Sequence, residues 1–347
     1  MVGLHASSPS PLVGEGRGGG CPTLGASSGG PPSPTLPHKG GGGSLAATMT
    51  TTTDIASLDT PAPEHRRSWR DAVLDFCRRR PLGAIGAAVV VLMILVAVSA
   101  DVIAPYDPLA IDFAAMLAPP SAEHWLGTDA YGRDVLSRII YGSQTALIVG
   151  FGAAFVGSTL GAVLGVGSAY FGGRTDLVVQ RFMDIFISFP LIILALAMVA
   201  ILGNTLPNLI MAMTAPMIPR CALVIRSSAL SIREMPYVDA ARAAGFSHAR
   251  IILRHMLPNV MAPYLIMLTS FLGQAILLEA SLSFLGLGVQ EPIAAWGLML
   301  RGAAVEFAET APWMALFPGL AISLAVFAFN LFGDSLRDAL DPKLRTG

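Results

Sequence analysis

Charge is what this 347-residue chain has least of. Asp, Glu, Lys and Arg make up only 13% of it, while 53% is hydrophobic. A soluble domain carries about 25% charged residues, so the shortage excludes a water-soluble globular protein and points to a membrane protein. Cysteine is also scarce. Cys21, Cys77 and Cys221 are too widely spaced for a CxxC metal motif or a disulfide framework. Cys221 reads as a small apolar packing residue. No GxxxxGK[ST] pattern occurs, so the chain has no phosphate-cradling loop and is not expected to bind ATP. No basic patch is interleaved with aromatics, which argues against nucleic acid as a partner. No His or Cys cluster points to a metal, and no cofactor is implied.

What is present falls into two regimes. Residues 1–60 are rich in Gly, Ser and Pro, as in GEGRGGG, SSGGPPSP and HKGGGGS. Such a stretch buries too little apolar surface to offset its ordering entropy and is expected to be a disordered tail. It has no apolar core that would make it a signal peptide. Met49 is the expected natural start, with the residues before it upstream sequence translated in error. Residues 61–81 then read as a basic cytoplasmic segment at the interface, with Trp69 and Phe76 among headgroups and Arg78, Arg79 and Arg80 at the surface.

Residues 82–335 carry six apolar runs of membrane-crossing length, giving an all-α, polytopic architecture. The runs are Leu82 to Ala100, Thr145 to Ala169, Ile185 to Leu202, Leu206 to Ile225, Val260 to Leu278 and Trp313 to Phe332. Arg and Lys crowd into the segments that alternate on one side, including Arg78 to Arg80, Arg174, Arg242, Arg250 and Arg254. The other side holds only Arg133, Arg138 and Arg301. The bias places both termini, and the tail 336–347, in the cytoplasm.

Inside the second run, Ala153, Gly157, Gly161, Gly165 and Ala169 recur every fourth residue, a stripe that admits another helix closely. Prolines at 190, 207, 216, 219, 263 and 318 predict kinks or broken helices. Few charges sit at membrane depth. Arg220, Asp184 and Asp334 fit snorkelling or interhelical pairing; Glu279 is the candidate pathway residue. No relay of Asp, Glu and His crosses the spans, which leaves a proton-driven carrier without support. On the outer side, Asp129 precedes Arg133 by four residues and Asp134 precedes Arg138 by four. That spacing predicts a short solvated helix on the membrane surface. The other outer segment, 284–313, is long and glycine- and tryptophan-bearing, and reads as an interfacial cap.

The polar island between the fourth and fifth runs is the most informative segment. Pro236 opens a helix, Ala240, Ala241, Ala243 and Ala244 propagate it, and Gly245 ends it in the left-handed conformation. Ser247 caps a second helix, and Pro258 is expected to end that helix or kink it into the fifth span. Helix, sharp turn and helix make a rigid element able to fill a groove on a soluble subunit. An ordinary solvated loop has the same local features.

In order along the chain stand LGTDAYGRDVLSRIIYG, YVDAARAAGFSHARIILRHMLPN, EASLSFLGLGVQEP with WG, and APWMALFPGLAI followed by FNLFGDSLRDALDP. From Leu82 to Lys343 the sequence resembles the C-type permease subunit of the dipeptide, oligopeptide and nickel branch of ABC importers. The segment at 236–258 resembles their coupling (EAA) loop, with Asp239 where the family usually has Glu. The resemblance implies a permease subunit, not an enzyme, of an ATP-driven importer of the bacterial inner membrane. Its implied partners are two ATP-binding subunits, a second homologous permease and an extracytoplasmic substrate-binding protein, with the lipid bilayer around them. The family's coupling residues fall on Asp239, Ala240, Ala241, Gly245, Leu257 and Pro258. The cargo is left open among dipeptides, longer peptides, nickel chelates and other small solutes. A stand-alone secondary transporter and a membrane scaffold are the readings outside this class.

Overall fold

The computed structural model describes residues 76–340. The expected tail 1–60, most of the interfacial segment 61–81 and the last residues of the C-terminal tail lie outside them. Among the described residues every regular element is helical, apart from an isolated bridge between Thr128 and Asp134.

Four helices are long and apolar enough to cross a membrane. They are α1 (Pro81–Val98), α3 (Val135–Phe171), the continuous helical run His248–Phe284 and α12 (Trp313–Leu340). The short α2 (Ala100–Ile103) follows α1. Two further spans are bent pairs: α4 (Gly173–Ser188) with α5 (Leu191–Leu202) at 96°, and α6 (Leu206–Thr214) with α7 (Met217–Arg233) at 42°. Six spans result when each bent pair is taken as one. The proline expectation is met at both breaks. Pro190 disfavours helical backbone at Phe189, which is extended with ψ 136°. Pro216 stands at the second break, immediately before α7.

The expected boundaries shift with these bends. The third run was expected to begin at Ile185; instead Ile185–Ser188 ends α4, and the chain turns sharply before α5 begins. The second span begins at Val135 rather than Thr145, because Asp134 caps it there: its carboxylate accepts from the Ser137 N–H at 2.7 Å.

Packing centres on the small-residue stripe of α3, whose partner is α7. A methyl group added at Gly161 would stand 2.6 Å from Cys221 Cβ and 2.7 Å from the Ile218 carbonyl oxygen. At Gly165 it would meet the Ala222 carbonyl oxygen at 2.6 Å. Ala153 and Ala169 are fully buried in the same line, and so is Cys221, the packing residue its surroundings predicted. Gly86 does the same for α1, lying against the backbone of Ala328 and Phe332 on α12. Beyond the spans, α10 (Leu257–Phe284) leads to α11 (Trp296–Glu306), which with α12 closes the end of the bundle opposite the polar island.

Candidate functional site

α8 (Pro236–Ala243) begins at Pro236, with Met235 in extended backbone before it. The helix sits half-sunk. Val238 and Ala241 are buried in the main core, whereas Asp239 and Ala240 are exposed. Asp239 accepts a hydrogen bond from Arg242 at 3.1 Å. Gly245 ends the helix with φ +76°. Its N–H donates to the Arg242 carbonyl at 2.9 Å and the Phe246 N–H to the Ala241 carbonyl at 3.1 Å, the paired bonds of a Schellman turn. Ser247 then accepts from the Arg250 N–H at 3.4 Å and starts α9 (His248–Ile251).

Pro258 does not end that helix. The chain widens into a π-helical turn at Ile252–Met256 and runs straight on into α10, with Pro258 in its first turn. The Leu257 N–H reaches the Ile252 carbonyl, one residue further back than in an α-helix. A proline lacks the N–H that an interior position needs, and the wider turn absorbs that loss without a break. Leu257 is half-buried there and Pro258 exposed. Asp239, Ala240, Ala241 and Gly245 thus share one short helix and its turn, while Leu257 and Pro258 lie beyond the π turn on the same continuous rod as α9.

The segment is anchored by aromatic residues that sequence reasoning missed. Tyr170, buried at the end of α3, hydrogen-bonds His248 Nδ1 at 2.7 Å, and the Arg242 guanidinium lies 5.5 Å from its ring centre. His255 lies between Tyr237 and Phe246, at ring distances of 6.1 and 6.2 Å. Asn259 bridges the Tyr237 hydroxyl and the His255 carbonyl. The only signal in the sequence was the density of aromatic and His residues around a short loop.

The opposite end carries the second candidate constellation. Tyr170 and Arg138 are 32 residues apart on α3, about 48 Å at 1.5 Å per residue. Asp129 and Arg133 do pair, at 2.6 Å, but not on a solvated helix: they lie in a turn containing Gly132 at φ +73°, Asp134 and Arg138 lie at the start of α3, and all four are buried. Asp134 does not pair with Arg138. It caps α3 and contacts His124 at 3.0 Å. Arg133 and Arg138 instead converge on Glu291, at 2.8 and 3.5 Å. Burial works against the Arg133 charge, but Glu291 and Asp129 outweigh it and hold its pKa above the ordinary value. The cluster lines a cavity of about 360 Å³ with Tyr131, Arg301 and Glu306. Two indoles fasten the 284–313 segment over it: Trp296 donates to the Ile139 carbonyl at 2.9 Å and Trp313 to the Thr128 carbonyl at 3.2 Å.

Glu279, the candidate pathway residue, lies buried near the end of α10. It accepts from the Ser283 hydroxyl at 2.7 Å, and that hydroxyl accepts from the Val289 N–H at 3.1 Å.

A bundle of broken and unbroken spans, with an anchored helical loop at one end and a charged cap at the other, defines a multi-pass membrane permease. The chain belongs to the family described as the binding-protein-dependent transport system inner membrane component, which matches residues 136–346. The N-terminal TM domain of oligopeptide transport permease C matches residues 68–120. The dipeptide transport system permease protein DppC of Alkalihalophilus pseudofirmus is 40% identical over 296 residues, covering 83% of this chain and 95% of that protein. The glutathione transport system permease protein GsiD of Escherichia coli is 41% identical over 281 residues, covering 81% and 92%. Among solved structures, the inward-facing MetNI methionine ABC transporter matches at TM-score 0.48 and 19% identity, over 59% of this chain and 97% of that one.

Proposed function

We propose that this chain is the permease subunit through which an ATP-driven importer passes dipeptides or oligopeptides, and that α8 with its Gly245 turn is where it receives force. Two ATP-binding subunits, a second homologous permease and an extracytoplasmic binding protein complete the machine. The peptide and dipeptide names of the relatives support the cargo. The excess of Arg at 242, 250 and 254 supports a cytoplasmic loop and cytoplasmic termini.

The observation that carries this reading is the half-sunk seat of α8. Its outer side offers Asp239 and Ala240 to a soluble partner. Its inner side, Val238 and Ala241, is packed into the core and cannot slide without disturbing it. The Schellman turn fixes the angle to α9, and the rod from His248 to Phe284 is unbroken. A push on α8 therefore arrives at α10 as a rigid displacement rather than being lost in a loop. Leu257 and Pro258 mark where the rod meets the membrane. At its far end Glu279 holds Ser283 and, through it, the turn at Val289. Within this reading Glu279 steadies the end of α10 next to the charged cap on which the binding protein docks.

The test is purification of the assembled complex in mild detergent, followed by uptake. ATP-binding subunits and a second permease are expected to co-purify with the wild-type chain. Gly245→Pro fixes φ near −65° where +76° is needed, and deletes the N–H that donates to Arg242. It is expected to reach the membrane in normal amount and to lose uptake by about tenfold or more, the scale set by one backbone turn misplaced at a cost above 1.4 kcal/mol. Normal uptake by this variant contradicts the coupling assignment; a lone wild-type subunit contradicts the importer.

A further inference from the structure

α7 is polar on the side where a lipid-facing helix would be apolar. Met217, Cys221, Ile225 and Ala229 bury one side against α3. On the other, Arg220, Val224, Ser227 and Ser231 are exposed at i, i+4, i+7 and i+11, a single line along the helix with exposed Leu223 beside it. Arg220 stands 14 residues after Leu206 and 13 before Arg233 in the bent span. At 1.5 Å per residue that is about 20 Å from either end of the pair and about 9 Å from Arg226, inside the apolar run 206–225. Among the described residues it has no ion pair and no hydrogen bond. Arg226, two turns on, is by contrast held by Asp176 through two hydrogen bonds, one at 2.6 Å. An arginine turned to lipid at this depth costs about 2.5 kcal/mol or more. Ser227 and Ser231 continue the line past Leu223 and Val224, and its polar members suit water rather than hydrocarbon.

We infer that this line faces the aqueous pathway of the assembled importer and that Arg220 is the point where the carboxylate of a passing solute is held. The guanidinium is a fork of donors matched to a carboxylate, and every peptide with a free C-terminus carries one. Identification of the solute as a peptide rests on the function proposed above; the anion-attracting character of the line does not.

The experiment uses the assembled complex with Cys21 and Cys77 replaced by serine; Cys221 is buried. Val224→Cys and Ser227→Cys are each reacted with an anionic and a cationic membrane-impermeant methanethiosulfonate. Both cysteines are expected to react, and Arg220→Gln is expected to lower the anionic-to-cationic rate ratio by about tenfold, the scale of one charge-assisted contact. Cysteines that stay unlabelled, because lipid or a partner helix covers them, overturn the inference, as does a ratio indifferent to Arg220→Gln. Uptake of a dipeptide and of its C-terminal amide then identifies the group held. Arg220→Gln should slow the free acid by about tenfold and leave the amide unchanged, with Arg220→Lys keeping part of the rate. Equal loss for both overturns the carboxylate assignment. A wild-type complex that takes up neither, while the labelling ratio still shifts, overturns the peptide reading and leaves the anion-attracting line standing.

Discussion

Arg138 and Arg242 each sit beside a carboxylate, yet their surroundings give those contacts different weight. The Arg138 side chain is 1% exposed and shares Asp129 and Glu291 with Arg133. Removing both arginines leaves the buried Asp129 carboxylate uncompensated, which costs about 3 kcal/mol or more. The Arg242 side chain is 38% exposed, its partner Asp239 67%, and such pairs contribute about 0.5 kcal/mol. Arg133→Met combined with Arg138→Met is therefore expected to lower the thermal midpoint in detergent markedly, whereas Arg242→Ala shifts it within error. Equal shifts would mean that burial does not set the energetics of the cap. The two sites differ equally in how far they could be read from the sequence. Pro236, Gly245 and Ser247 act on neighbours within five residues, so turn chemistry foretold all three. Glu291 lies 158 residues from Arg133, and nothing local announces that pairing. The i,i+4 spacing at 129–138 instead suggested a solvated helix that the buried turn replaces.

Among elements, the contact of α3 with α7 is the one whose sequence signal was least ambiguous, because a four-residue period of small side chains has one physical use in a span. It also separates two glycines of the same helix. A Cβ added at Gly161 would stand 2.7 Å from a backbone carbonyl, which cannot yield, while one at Gly167 would meet nothing within 4 Å. Gly161→Leu should force the helices apart and cost about 1–3 kcal/mol or more. Gly167→Ala should stabilise by about 0.5–1 kcal/mol through helix propensity alone. Paired melting curves of the two variants check this, and a tolerated Gly161→Leu would show that the helices do not meet along the stripe. Element ends were less legible than element faces. Pro190 bends its span by 96°, while Pro258 is absorbed by a π turn. Which of the two a proline does depends on whether the preceding turn can widen inside a packed environment, a tertiary property with no mark in the local sequence.

For the whole molecule, the six apolar runs match four long helices and two bent pairs, but they do not say how firmly each span is held. α3, α7, α10 and α12 bury one another, whereas α4 buries only Met183 and α5 only Ala195 and Val199. Ile185, Phe189, Ile192 and Ile193 stay exposed around the sharp bend between those two helices. Exposed apolar surface at a sharp bend is a poor place for a subunit to be left alone. A copy made in excess of its partners would present a weakly secured, proteolytically accessible corner to the quality-control machinery of the membrane. Pulse-chase labelling should show this chain turning over faster in a strain lacking the proposed second permease than in the parent strain. An unchanged half-life would mean that the corner is secure without a partner. Faster turnover would mean that subunit stoichiometry is set by degradation of unassembled copies, a use of the bent pair that concerns how much importer a cell keeps rather than how the importer works.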